Sequence, residues 1–182
     1  NVDVLAGTAP RGKTASEDAR FGAGLLESEK DRREHRIVHE SVCRRLGSLG
    51  LKAEGACNPI LRKLQNVQHL FVDVEADLAE GIHLLDLVEQ LHPTPAVGGM
   101  PREAAVPRIK DHEPFDRGLY AGPIGWVNAQ GEGEFLVGIR SALVNGERAR
   151  LYAGVGVVKG SVPEREHLET NLKFQALKEN LL

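Results

Sequence analysis

Nowhere do the 182 residues hold more than a few apolar side chains in a row, so nothing in the sequence spans a membrane. There are only two cysteines, Cys43 and Cys57, without metal-ligand spacing and too few for a disulfide framework. That usage fits a reducing compartment, and the expected address is cytoplasmic. Positive charge is not in excess: 23 Lys and Arg stand against 26 Asp and Glu, a formal net charge of −3. With no basic stripe carrying interleaved aromatics, nucleic acid is excluded as the expected partner. Low-complexity tracts are missing, because the 20 Gly and 9 Pro fall at separated positions and read as turns. The chain also lacks an initial Met. It begins at Asn1 and runs at once into Leu5-Ala6-Gly7-Thr8-Ala9-Pro10-Arg11-Gly12, which reads as the middle of a protein, so an organellar address upstream would be invisible.

What is present is ordinary for a folded domain, with 41% apolar and 27% charged residues. A long helical stretch is predicted from Ser16 to Leu46, where Leu25, Leu26, Ile37, Val38, Val42 and Leu46 keep helical spacing. Ser28, with Asp31 three residues on, resembles a capping box, so the stretch should break and restart there. Asn58-Pro59 reads as the cap and first position of a short helix through Leu64. Gln68 to Val74 alternates as a strand, with Leu70, Val72 and Val74 on one face and Val67, His69 and Phe71 on the other. Gly81 to Leu91 and Pro101 to Lys110 are expected helices, the first stopped by Pro93 and Pro95. Strands are expected at Ile124–Asn128, Phe135–Val144 and Arg148–Val158, with Asn145-Gly146 as a two-residue hairpin between the last two. Ser161-x-x-Glu164 opens a closing helix with Leu168, Leu172 and Leu181 in its apolar set. Mixed helices and antiparallel strands make the class α+β.

Two helices carry acidic pairs one turn apart, Asp31 with Glu34 and Glu166 with Glu169. Glu34 is in register with Ile37, Val38 and Val42, beside the face expected to be buried, and a buried carboxylate needs something positive against it. If the second pair faces the first, four carboxylates converge and suit Mg²⁺. The alternative is an exposed helix ion pair from Glu169 to Lys173. His69, mid-strand, is either a satisfied core histidine or a functional one. Arg140 has Gly138 and Ala142 on its side of the strand, with Ala149, Leu151 and Ala153 expected opposite. Those small neighbours leave room for a ligand carboxylate that Arg grips bidentately; otherwise the side chain snorkels to solvent. Ala153-Gly154-Val155-Gly156 resembles a phosphate loop, but it continues a predicted strand and lacks the Lys-Ser/Thr, so its glycines read as permitting close backbone approach.

Taken in order, these segments resemble the chorismate-utilising enzyme family. The marks are Leu5 to Thr8 with Arg11-Gly12; Ser28 to His35; Val67-Gln68-His69-Leu70; and His92-Pro93-Thr94-Pro95-Ala96-Val97-Gly98-Gly99. They continue with Phe115 to Gly122, Ile139-Arg140-Ser141-Ala142, Ala153 to Gly156, and Glu166-x-x-Glu169-Thr170-x-x-Lys173. The resemblance implies a layered antiparallel β-sheet with packed helices, of which residues 1–182 would be the C-terminal part of one chorismate-binding domain. It implies Glu34 and Glu169 as direct Mg²⁺ ligands, with Asp31 and Glu166 reaching the metal through water. It further implies Arg140, Gly154 and Lys173 as substrate-carboxylate contacts, Gly7 and Thr8 as a loop lining the site, Tyr120 as an aromatic wall, and His69 as the histidine near the departing hydroxyl.

Within that family, Ala6 stands where aminodeoxychorismate synthases tend to carry a nucleophilic Lys. Anthranilate synthases differ across Ser28 to His35 and lack His-Pro-Thr-Pro, and salicylate synthases typically differ at His92 to Thr94. The resemblance therefore points to isomerisation of chorismate to isochorismate, with salicylate or anthranilate synthase-like chemistry, or a non-catalytic chorismate-binding module, as alternatives. The family's general base, a Lys, and general acid, a Glu, are expected upstream of the Ala-Gly-Thr segment. On that expectation the chain alone is inactive, and its uncovered strand edges favour pairing with its own N-terminal half or self-association. The sequence leaves open whether the product feeds quinone, siderophore or salicylate production.

Overall fold

The computed structural model describes residues 1–55 and 58–179, which form two compact units, Asn1–Ala96 and Val97–Leu182. The mixture of antiparallel strands and packed helices agrees with the α+β expectation. Among the described residues, no helix is long and apolar enough to cross a membrane. Cys57 and Leu181 lie outside the described residues.

The first unit opens with β1 (Val2–Pro10), α1 (Ala15–Glu27) and α2 (Glu29–Ser48). The short strands β2 (Glu54–Gly55) and β3 (Ile60–Lys63), the long strand β4 (Val67–Glu75) and α3 (Leu84–Leu91) follow. Strand β4 is central. It pairs antiparallel with β1 along one edge, and β3 and β2 share its other edge end to end. Alternation puts Gln68, Leu70, Val72 and Val74 on the covered face, none more than 2% exposed. Val4 and Ala6 of β1 join Val72 and Val74, and α2 lays Val38, Val42 and Leu46 over them. Each such Val or Leu contributes roughly 1.5–3 kcal/mol by leaving water, so the β1–β4–α2 sandwich is the core.

The break between α1 and α2 falls where the spacing predicts it. Ser28 Oγ accepts the Asp31 N–H at 3.3 Å and its hydroxyl donates to the Asp31 carboxylate. The box is only half closed, because the Ser28 N–H goes back to the Gly24 carbonyl at 3.0 Å.

Asn58-Pro59 does not start a helix: Ile60 to Lys63 is strand β3, in register with Phe71 to Gln68. Four residues make little helix on their own, while β4 offers them a ladder and Leu64 N–H closes the hairpin onto the Val67 carbonyl at 2.8 Å. Helix α3 begins three residues later than expected. Its cap is His83, whose Nδ1 accepts the Leu85 N–H at 3.1 Å while the Asp86 carboxylate accepts the His83 N–H at 2.8 Å. At the other end of α3, Arg45 Nη1 donates to the carbonyls of Gln90, Leu91 and Pro93 at 3.1, 2.8 and 3.0 Å. One guanidinium thereby satisfies the negative end of α3 and ties down the His92-Pro93 turn.

A single turn, α4 (Pro95–Gly98), runs across the boundary, and α5 (Arg102–His112) opens the second unit. Two separate ribbons come next: β5 (Pro123–Val127) with β6 (Gly133–Val137), and β7 (Ser141–Asn145) with β8 (Arg148–Tyr152); α6 (Pro163–Glu179) closes the chain. The expected strand Phe135–Val144 is therefore two strands, divided at Gly138 to Arg140. Gly138 exchanges hydrogen bonds with Gly122 and Ala121, both 2.8 Å, and a Cβ there would fall 2.7 Å from Ile124 Cδ1. Packing against that turn diverts the chain. Strand β8 ends at Tyr152, so Ala153 to Val158 is not strand. The hairpin turns at Gly146-Glu147, one residue later than predicted, with Gly146 at φ +58°. Leu168 and Leu172 are exposed rather than covered; helical spacing names a face without supplying anything to cover it.

His35 is buried in α2, with Nε2 3.3 Å from the Val4 carbonyl oxygen. Burial pushes its pKa below the ordinary histidine value; the Val4 contact opposes this and the charge of His39 adds to it. Because the folded value lies below the unfolded one, this contribution is intact above about pH 6.5 and is lost as pH falls toward the depressed value. Thermal unfolding between pH 7.5 and 5 should show a steeper fall in Tm for the wild type than for His35→Gln. Parallel curves would refute the assignment.

Candidate functional site

Gly7, Thr8 and His69 come together in the first unit, and Asp31 of α2 approaches Gly7. The β1–β4 ladder slips between Ala6 and Thr8, leaving Gly7 as a bulge at φ +76°. Thr8 is then opposite His69, and His69 Nδ1 lies 3.0 Å from Thr8 Oγ1 and 3.3 Å from the Gly7 carbonyl oxygen. A carbonyl only accepts, so the Gly7 contact favours the tautomer with its proton on Nδ1. His69 is half-buried on the β4 face opposite the core, which separates it from a core-filling role. The bulge also touches α2: a Cβ on Gly7 would stand 3.0 Å from Asp31 Cβ and 3.4 Å from Asp31 Oδ1. Ser28 orients the Asp31 carboxylate. Glu34, one turn along α2, is half-buried, as its register predicts.

A second constellation lies wholly in the other unit. Lys173 Nζ donates to the Gly154 carbonyl at 3.0 Å and pairs with Glu169 at 2.8 Å. The ion pair expected as the alternative reading of Glu169 is thus present, and the same lysine reaches Gly154. Gly154 needs to be glycine: a Cβ would stand 2.7 Å from the Tyr120 hydroxyl. Tyr120 is stacked on Tyr152 at 5.3 Å between ring centroids, and Phe115 closes on both rings. Burial raises the Tyr120 pKa, partly countered by the Arg117 charge. Glu166 is buried on α6 and Glu169 half-buried one turn on. Arg140 is not on a strand face with Gly138 and Ala142. It sits between β6 and β7 at φ +49°, half-buried. A non-glycine residue in that conformation is strained by about 1–2 kcal/mol, and such strain concentrates at functional positions.

As donors for a metal, Asp31 and Glu34 belong to one unit and Glu166 and Glu169 to the other. Within neither unit, among the described residues, do three or more His, Cys, Asp or Glu side chains form a group able to hold an ion. The chemistry of the donors fits a hard divalent cation: all four are carboxylates, and Ser28 holds the first in place.

Sequence reasoning missed the anchor of the Gly7 segment. Asp18, buried at the start of α1, accepts from Arg11 Nε and Nη2 at 2.7 and 3.2 Å, from the Gly12 N–H at 3.0 Å and from Lys63 Nζ at 2.8 Å. Those donors hold its carboxyl far below the usual range, the Arg11 bonds contributing most. The Arg11-Gly12 pair was the visible signal; its partner seven residues on was not. Tyr152 was likewise overlooked, since nothing local marks a strand-end tyrosine as a stacking partner.

Gly7→Ala should destabilise the protein by about 1–2 kcal/mol, from the left-handed backbone and the crowding of Asp31. Urea denaturation measures this, and a loss below a few tenths of a kcal/mol would remove the bulge from the argument.

The family model described as chorismate binding enzyme matches residues 1–182. A salicylate biosynthesis isochorismate synthase of Pseudomonas aeruginosa is 48% identical over 178 residues, covering 98% of this chain and 37% of that protein. The structure of MenF, the menaquinone-specific isochorismate synthase of Escherichia coli, superposes with a TM-score of 0.87 at 35% identity, over 97% of this chain and 41% of that one. Anthranilate synthase component I of Streptococcus pneumoniae has a TM-score of 0.80 at 26% identity, over 96% and 41%. The chain spans about two fifths of the length of these relatives.

Proposed function

The chain belongs to the chorismate-binding enzyme family, and on that premise we propose that the protein containing it is an isochorismate synthase. The observation that carries this reading is the joint placement of His69, Thr8, Gly7 and Asp31 around one bulge, in a chain 48% identical to a salicylate biosynthesis isochorismate synthase. In the proposed reaction water adds at one ring carbon of chorismate while hydroxide leaves from another and the double bonds shift, so substrate and product are isomers. In this reading His69 is the histidine beside the departing hydroxyl, and the contacts of its Nδ1 with Thr8 and Gly7 support that role. Arg140 and Lys173 bind substrate carboxylates, and the stacked face of Tyr120 forms an aromatic wall.

Glu34 and Glu169, with Asp31 and Glu166 through water, would hold Mg²⁺. When bound, the ion would neutralise and orient the ring carboxylate. The family resemblance implies that the proton-transfer Lys and Glu come from outside residues 1–182, and on that reading these residues alone would bind chorismate without converting it.

The test is isochorismate formation by the protein containing this chain, followed as Mg²⁺ is titrated. Glu34→Gln and Glu169→Gln should each weaken the apparent Mg²⁺ affinity by roughly 10–100-fold. Identical Mg²⁺ curves for the three proteins would eliminate the carboxylate site, and anthranilate or salicylate as the product would replace the isomerase reading.

A further inference from the structure

Arg117 makes three contacts from one side chain, all within the second unit. Its Nε and Nη2 form a fork with the Glu113 carboxylate at 2.7 and 2.6 Å, and Nη1 donates to the Val97 carbonyl at 2.8 Å. Its guanidinium carbon also lies over the Tyr120 ring, 5.6 Å from the centroid. Glu113 caps the C-terminal end of α5, where its N–H closes on Ile109. Val97 lies in α4, two residues after Pro95. The nearby Glu113 and Tyr120 and the carbonyl of Val97, twenty residues back, are therefore fastened to one planar cation, which leaves it little freedom.

The consequence falls on Tyr120. Its ring meets Arg117 and stacks on Tyr152, and its hydroxyl stands where a Cβ on Gly154 would be. Gly154 in turn offers its carbonyl to Lys173. A ring that rotated or withdrew would uncover Gly154 and loosen the wall beside Lys173. The fork to Glu113 holds the cation in place, and the stacking on Tyr152 holds the ring against it.

We propose that Arg117 is a positioning residue. Clamped by Glu113 and the Val97 carbonyl, it fixes the Tyr120 ring over Gly154 and so shapes the aromatic wall of the chorismate pocket. This rests on the functional reading above for its substrate, while its geometry stands on the second unit alone. It distinguishes Arg117 from a surface ion-pair residue, because a surface pair with Glu113 would leave Tyr120 unaffected when broken.

Tyr120 and Tyr152 are the chain's two tyrosines, so ¹³Cζ-tyrosine NMR of the full chain resolves the wall directly. In Arg117→Gln the Tyr120 resonance should shift and titrate at higher pH than in wild type, since the countering cation is gone. In Glu113→Gln, Tyr120 should titrate lower. Arg117→Lys should keep the charge but lose the fork, returning the titration partway while the resonance stays displaced. In the protein containing the chain, Arg117→Gln should lower kcat/KM for chorismate by roughly 10–100-fold, mainly through KM, with Arg117→Lys recovering part of it. A Tyr120 resonance and titration unchanged in Arg117→Gln, in a protein whose circular dichroism matches wild type, would overturn the proposal. A wild-type protein without chorismate turnover would overturn the functional reading instead, and the tyrosine spectra would still decide the role of Arg117.

Discussion

The ladder between β1 and β4 is the constraint from which the first unit follows. Its inward residues, Val4 and Ala6 against Val72 and Val74, make the floor that α2 covers, and that burial fixes the register. Its outward residues cannot then be moved independently. Once the bulge at Gly7 is placed, Thr8 must face His69, and α2, held down by Val38, Val42 and Leu46, must bring Asp31 against the bulge. Core packing thus fixes where Thr8, His69 and Asp31 stand in this unit.

Charge reinforces that arrangement where apolar burial ends. Asp18 gathers Arg11, Lys63 and the Gly12 N–H, fastening the end of β1 to α1 and to β3. Arg45 performs a similar service for the end of α3, and Arg117 for the second unit. In each case a guanidinium reaches carbonyls or a carboxylate that secondary structure leaves unsatisfied, which is what a planar five-donor group does better than an ammonium. Two of the three, Arg11 and Arg117, lie within the motifs that carry the family resemblance.

Much of this was legible from local pattern. The helical spacing from Leu25 to Leu46, the Ser28 cap and the alternation through β4 are statements about neighbours three, four or two residues apart, and the structure agrees with them. What was misread depended on partners elsewhere in the chain. Asn58-Pro59 has the chemistry of a helix start, yet the open edge of β4 claimed Ile60 to Lys63 as a strand. Phe135 to Val144 reads as one strand, yet packing around Gly138 divides it and Arg140 adopts a left-handed conformation.

The sequence by itself determined the elements of the core, the family and the motifs that carry the family resemblance. Helical spacing, strand alternation and ordered motifs are all local quantities, so they survive without knowledge of contacts. Only the tertiary structure decided that His69 is held by Thr8 and Gly7, that Asp18 anchors Arg11, and that Arg117 grips Glu113 beside Tyr120. Those pairings join residues brought together by strand register, helix packing and turns, and no single-residue or periodic signal encodes where a side chain finds its partner.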